Sequence, residues 1–442
     1  MSKRTVPVDM IKRNNQMEIS RLYGGLVRKN LYAHPGRAAW LTNKGLRLES
    51  FRCLHLGDKR IPLPYRQLNS KALSTVADAL EHPASLAWTN IFAPVEILQN
   101  FGLTCASMEC LASFLSGFYL EDELIDHALS AGIAPTLCSY HKTFIGSVDA
   151  GLVPPPRIAV TTSMVCDGNI GTFRYLEEKY HVPTFIIDVP HEDTDDARKY
   201  VADQLRELTA MLEDLTGRPL DMEVLKEALR SENRAKAHFL SYLDKRRFHA
   251  YPVTITLIVF QLLATHLSIG QPWVEEIFAA MDQDVENWPL SDEKRLFWVH
   301  LPPYAQPSLK SWLNLGDKAA ITSGEFDLDY IEPLDPEHPY ESLARKMTGN
   351  IYNGDFTRKA EGITELVNRF EPDGVVQFCH WGCKQSMGSV MLLKERMQQL
   401  GKPMLILDGD AIDRRNCPDG QIRTRFEAFM ELLEKGEGGI QS

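Results

Sequence analysis

Several familiar signatures are missing from this 442-residue chain. It contains no C-x-x-C pair, so the short paired spacing of structural zinc sites is absent. Neither G-x-x-x-x-G-K-[ST] nor G-x-G-x-x-G occurs, so nothing announces a phosphate loop or a dinucleotide-binding turn, and ATP hydrolysis by the chain itself is not suggested. No long basic block supplies a phosphate-tracking stripe. With 48 Lys and Arg against 59 Asp and Glu, the formal charge is −11, which sets nucleic acid aside as a partner. The most apolar run, VTITLIVFQLLATHLSIG (253–270), is interrupted by Gln261 and His266 and is too short and polar to span a bilayer; it reads as a buried core helix. The opening MSKRTVPVDMIKRNNQ lacks the apolar stretch and small-residue cleavage site of a secretory leader, so a cytoplasmic chain is expected.

What is present is ordinary in bulk: 44% hydrophobic and 24% charged residues, at a length beyond which one hydrophobic core usually stops growing. Two domains are the first expectation. Eight cysteines stand at Cys53, Cys105, Cys110, Cys138, Cys166, Cys379, Cys383 and Cys417. In a large chain without a secretory signal they are expected to be reduced, which leaves free thiols or thiolates on a metal.

From Ser85 onward, short apolar runs end in turns and give way to helical patterns: SLAWTNIFAPVEILQNFG, GIAPTLC, RIAVTTSMVCDGNIGTFRYLEEKY and VPTFIIDVP. This alternation predicts βα units around a parallel sheet. Two helical segments follow, over 192–216 and 222–246. A second series then begins with RLFWVHLPP, KAAITSGEFD, GVVQFCHWG and PMLILDGD, with helical patterns at 357–370, 385–400 and 424–433 between or after them. The expected fold is therefore α/β, with two doubly wound parallel-sheet domains of the Rossmann or flavodoxin type. We expect a helical N-terminal extension over 1–84, a first α/β domain over 85–215, a helical connector over 216–290 and a second α/β domain over 291–442.

Ligands of such sheets bind where strands end and loops begin. Cys138, Cys166 and Cys383 are each placed at such a point by the pattern, two in the first half and one in the second, so facing halves would bring them together in a cleft. Three chemistries remain open for them. A local zinc site around Cys379, His380 and Cys383 lacks its second ligand pair. An iron–sulfur cluster draws thiolates from separate loops, and three ligands would leave one iron open to act as a Lewis acid. Buried cysteines also behave simply as small hydrophobes.

The segments CSYHKTFIG at Cys138, TTSMVCDGN at Cys166 with VPTFIIDVP behind it, and HWGCKQSMG at Cys383 followed by LGKPMLILDGDAIDRRNCPDGQIRTRFEAF resemble the 2-hydroxyacyl-CoA dehydratase and benzoyl-CoA reductase family, from about Pro94 to the C-terminus. The resemblance implies that Cys138, Cys166 and Cys383 hold a four-iron four-sulfur cluster. Cys379 departs from the pattern: it is read as an alternative ligand, as a further ligand of a double-cubane cluster, or as packing. Pro94-Val95-Glu96 matches an early Pro-x-Glu element, which makes Glu96 a candidate for proton transfer, against the plainer reading of an acid in the first turn of a helix.

The resemblance further implies a subunit that removes water from a 2-hydroxyacyl-CoA to give an enoyl-CoA. The β-proton is not acidic, and loss of the α-hydroxyl runs against the thioester's polarity; one added electron, giving a ketyl radical anion, expels the hydroxyl and acidifies the β-proton. An ATP-dependent iron–sulfur activator would supply the electron and a homologous subunit would complete a homo- or heterodimer. The alternatives are a reductase of the benzoyl-CoA or double-cubane type, and a non-catalytic partner subunit. For the anionic CoA, Lys142 and Lys384 lie beside the proposed ligands, although surface lysines are common. Asp408, Asp410 and Asp413 do not match an EF-hand loop, and are expected to pair with Arg414, Arg415, Arg423 and Arg425.

Overall fold

The computed structural model describes residues 8–316 and 318–435. Eight strands form two four-stranded sheets: β1 (Leu86–Thr89), β2 (Thr104–Ser107), β3 (Ile158–Thr162) and β4 (Thr184–Ile187) in the first, and β5 (Lys294–Val299), β6 (Ala319–Gly324), β7 (Gly374–His380) and β8 (Met404–Gly409) in the second. Every pairing is parallel, and the spatial orders, β2-β1-β3-β4 and β6-β5-β7-β8, repeat one topology twice. In each sheet the chain steps outward from its first strand on one side and then returns to the other, so a crevice opens beyond the carboxyl ends of β1 and β3, and again beyond β5 and β7. The fold is α/β with two parallel-sheet halves, as the alternating pattern requires.

Central strands read as unbroken apolar runs because helices cover both faces of a parallel sheet. All five residues of β3 and all seven of β7 are buried. Trp88 and Trp298, on the equivalent first strands, are completely covered; removing a side chain of that class from water contributes about 2–3 kcal/mol. Helices begin where a side-chain oxygen meets free backbone amides: Ser107 caps Met108–Gly117, Thr194 caps Asp195–Thr216, and Asp355 caps Phe356–Phe370.

Two expectations need correction. The run GIAPTLC forms no strand: Gly132 takes a left-handed φ of 92° and Pro135 has no amide to give a ladder, so the segment turns on itself. The strand in that part of the chain is the short Thr104–Ser107, whose TCAS sequence carries little β signal and is extended by its pairing with β1. The helical pattern over 385–400 is also divided, into Lys384–Met387 and Val390–Gln399, at Gly388 and Ser389.

The run over 253–270 does enter the core, as helix Ile255–Leu262 with a wider final turn, Leu263–Leu267. No helix among the described residues is long and apolar enough to cross a membrane. Helices Val8–Asn30, Pro35–Phe51 and Leu63–Glu81 precede the first sheet. Helices Asp195–Thr216 and Met222–Arg246 lie between the two sheets in the chain, as their periodicity predicts. One apolar cluster joins the halves, packing Ile91, Cys138 and Tyr140 with Trp298, Phe378 and Leu407.

Candidate thiol cluster site

Each of the three cysteines singled out from sequence is the residue immediately before a helix. Cys138 precedes Ser139–Asp149, Cys166 precedes Asp167–Tyr180, and Cys383 precedes Lys384–Met387. Amides left free at helix starts favour negative charge, so a thiolate there is better placed than one in mid-helix.

The loops carrying these residues come together across the two halves. Gly382 adopts a φ of 83°, and a Cβ built on it would lie 2.9 Å from the Cys138 Cα and 3.0 Å from its amide nitrogen. Lys384, after Cys383, ion-pairs at 2.9 Å with Asp167, after Cys166. The Ser139 hydroxyl donates to Asp410 at 2.6 Å, and Asp410 also accepts the amides of Ile412 and Asp413. The Cys138 thiol is held well above its usual range by burial and then by the negative potential of Cys383 and Cys166. Burial and Cys383 push Cys166 up to about 11, against the lowering effect of the Asn169 and Gly168 amides. The three sulfurs thus sense one another.

A histidine faces each sulfur. His380 Nε2 lies 3.2 Å from Cys138, His141 Nε2 3.5 Å from Cys166 and His300 Nε2 3.5 Å from Cys383. Burial lowers all three imidazoles, His141 to about 4, so they are neutral at ordinary pH. Backbone strain gathers at the same place. Val165, just before Cys166, has a φ of 68° and His300 one of 71°, a region that a β-branched residue occupies only when its surroundings hold it there.

Cys379 points elsewhere, its sulfur donating to the Ser386 carbonyl at 3.3 Å. With His380 turned to Cys138 and Cys383 to His300, these neighbours in sequence do not share a zinc site, and among the described residues no three His, Cys, Asp or Glu side chains close on a position for a single ion. Thiols from two halves that interact by charge without converging on one point suit a multi-iron group better than a lone ion.

Glu96, the carboxylate expected to transfer protons, is fully engaged. Its Oε1 accepts the Lys346 ammonium at 2.7 Å; Lys346 also reaches Glu232 at 2.8 Å, and Glu232 lies 2.8 Å from Lys236. Burial, reinforced by Glu232, raises Glu96 to about 7 although Lys346 opposes it. For Glu232, burial is outweighed by Lys236 and Lys346, and its carboxyl is lowered. Glu96, Lys236 and Lys346 of this network line a pocket that also presents His266, Asp329 and Phe239 and is bounded by Met164 of the Cys166 loop. Lys346→Met strands the buried Glu96 carboxylate and leaves Glu232 with Lys236 alone; we expect a loss of about 3–5 kcal/mol in urea unfolding at pH 8, shrinking as the pH falls and Glu96 takes up a proton.

Sequence reasoning missed a second carboxylate, Glu109, in the first turn of Met108–Gly117. It lines a smaller cavity with Tyr140 and Leu301, and that cavity shares Ile91 with the larger one. Burial raises Glu109 to about 7, partly offset by its own amide, the Ser107 hydroxyl and the Ile91 amide. Its Oε2 is sealed from solvent with no hydrogen-bond partner in the protein, and its charge raises the Cys166 thiol. Only an isolated acid at a helix start marks it in the sequence.

The remaining expectations divide. Lys142 is buried and donates to the Pro135 carbonyl at 2.9 Å, so it is not a surface lysine. Asp413 pairs with Arg415 and Asp408 with Arg425, as expected, whereas Asp410 binds Ser139 and backbone amides. Arg414 crosses to Glu121 of the first half. Gly382→Ala would place a methyl group against the Cys138 backbone at a left-handed residue; we expect a loss of at least ~1–2 kcal/mol from backbone strain alone, read in thermal unfolding.

The family model described as 2-hydroxyglutaryl-CoA dehydratase, D-component, matches residues 90–433. The chain is similar to the lactoyl-CoA dehydratase subunit alpha of Anaerotignum propionicum, 22% identical over 82% of this chain and 94% of that protein. It is also similar to a benzoyl-CoA reductase subunit of Thauera aromatica, 20% identical over 72% of this chain and 81% of that one. The (R)-phenyllactyl-CoA dehydratase alpha subunit of Clostridium sporogenes is 19% identical over 83% and 94%.

Proposed function

The chain belongs to the 2-hydroxyglutaryl-CoA dehydratase D-component family, and from that premise we propose that it is an iron–sulfur subunit that eliminates water from a 2-hydroxyacyl-CoA to give an enoyl-CoA. The observation that carries this reading is the approach of Cys138, Cys166 and Cys383, from both halves, each at a helix start and each facing a histidine. These three thiolates would hold a four-iron four-sulfur cluster, which when bound supplies one-electron chemistry and an open iron site.

The chain's own residues do the rest. The paired cavities on either side of Ile91 take the acyl end of the substrate away from bulk water. Glu109, beside Cys166 and with one oxygen free, removes the β-proton. Glu96 is the second candidate for that step; its bond to Lys346 favours a fixed role in the cavity wall. The electron comes from an ATP-dependent iron–sulfur activator, and a homologous subunit completes the assembly; the relatives are themselves named as subunits of dehydratases or of a reductase.

The benzoyl-CoA reductase relative supports a reductase as the second reading, in which the substrate keeps the electron. Iron and acid-labile sulfide per chain on anaerobically purified protein separate the two. About four of each, with enoyl-CoA formed from a 2-hydroxyacyl-CoA once the assembled enzyme is reduced, is the expected result. About eight irons would move the case to a double-cubane reductase, and iron-free protein under strict anaerobiosis would overturn both.

A further inference from the structure

Of the eight cysteines, only Cys138, Cys166 and Cys383 stand against an imidazole among the described residues. Cys53 and Cys379 turn to Glu49 and to the Ser386 carbonyl. The three histidines come from unrelated places: His141 from a first-half helix, His300 from the loop after β5, and His380 from the end of β7. Resting on the cluster reading, we propose that His141, His300 and His380 are positioning residues that each direct one N–H at one ligating sulfur and together set the potential at which the cluster takes up its electron.

Each ring is fixed by something other than the sulfur. At His380 the Ala411 amide donates to Nδ1 at 3.0 Å, which leaves Nε2 to carry the proton toward Cys138. The ring also packs edge-on against Tyr140, with centroids 5.2 Å apart. At His141, Nδ1 meets the Thr172 hydroxyl at 2.7 Å. The contact with Cys166 depends on Gly168, where a Cβ would lie 3.0 Å from His141 Nε2 and 3.2 Å from Cys166 Sγ. His300 holds its left-handed backbone through its amide, which donates to Glu325 at 2.6 Å, and through edge-on packing on Phe326; its Nδ1 is buried without a partner, so the sulfur is the ring's polar contact.

An N–H aimed at a ligating sulfur withdraws negative charge and stabilises the reduced cluster, which carries one more electron, relative to the oxidised one. No bond is made or broken and no proton moves; a low-potential donor supplies the electron. Removing a donor therefore makes reduction harder.

The test is a redox titration of the anaerobic full-length protein, followed by electron paramagnetic resonance, with His141→Leu, His300→Leu and His380→Leu beside the corresponding glutamine variants. Each leucine variant is expected to keep its iron and to shift the reduction equilibrium about tenfold toward the oxidised form, ~59 mV for a one-electron couple. Glutamine, which retains an N–H, is expected to recover part of the shift. Gly168→Ala keeps all three histidines and presses on the His141–Cys166 contact, so it should give a smaller shift in the same direction and remains readable where a leucine variant does not fold. Iron retained with unchanged potentials throughout would overturn this inference and leave the cluster reading intact. Wild-type protein that takes up no iron would overturn both.

Discussion

Alanine at Cys138, Cys166 or Cys383 is expected to empty the chain of iron, whereas alanine at Cys379 leaves about four irons per chain. The asymmetry follows from where the sulfurs point. The first three come from both halves and interact by charge, and losing any one leaves two thiolates for a cluster proposed to use three. Cys379 spends its sulfur on the Ser386 carbonyl. A second readout should move with the first. Because the proposed ligands come from both halves, a cluster bound by them would tie the halves together, and its binding free energy would add to folding. The three alanine variants should therefore unfold at lower temperature than wild type under anaerobic conditions, and Cys379→Ala should not. Iron lost with Cys379→Ala as well would instead place that thiol among the ligands and favour the double-cubane reading.

The second half of the fold was legible because its strands announce themselves. RLFWV, AAITSG, GVVQFCH and MLILDG are apolar, β-rich and bounded by turns, and each is a strand. In the first half β2 was not legible, since TCAS becomes a strand only through its neighbour β1, and GIAPTLC imitated one with apolar residues that Gly132 and Pro135 keep from pairing. The site divides in the same way. Cys166 and Cys383 stand out in the sequence because they follow the strand runs of β3 and β7, and Cys138 because it ends a run that reads as a strand although the structure makes it a turn. Their histidine partners do not: Cys138 meets His380 across 242 positions, and Cys383 meets His300 across 83. No spacing rule reaches that far. Nor does anything local distinguish Glu96 from Glu109, both acids in a first helical turn. Only their surroundings separate them, an ammonium ion on one and a buried, unmatched oxygen on the other.

That difference yields the second large effect. Glu109→Gln is expected to lower kcat/KM by about 10²–10⁴-fold, the usual contribution of a positioned acid or base, while iron content stays at the wild-type level. Glu96→Gln, whose amide still accepts from Lys346, should cost far less. The pH dependence gives the sign. A group that removes a proton must be ionised, and Glu109 is raised from an ordinary 4.5 to about 7. Wild-type kcat/KM should therefore climb through pH 7, and the limb should vanish in the glutamine variant. Stability should respond in the opposite sense. With its carboxyl raised in the fold, the stability that Glu109 contributes is full below its unfolded value and is lost as the pH rises through about 7. Glutamine cannot ionise, so the variant should match wild type only below about pH 4, gain on it as the pH rises from there to about 7, and exceed it above pH 7 by ~3 kcal/mol for a fully buried group. A variant with wild-type rate and an unchanged pH profile would return the proton-transfer role to Glu96.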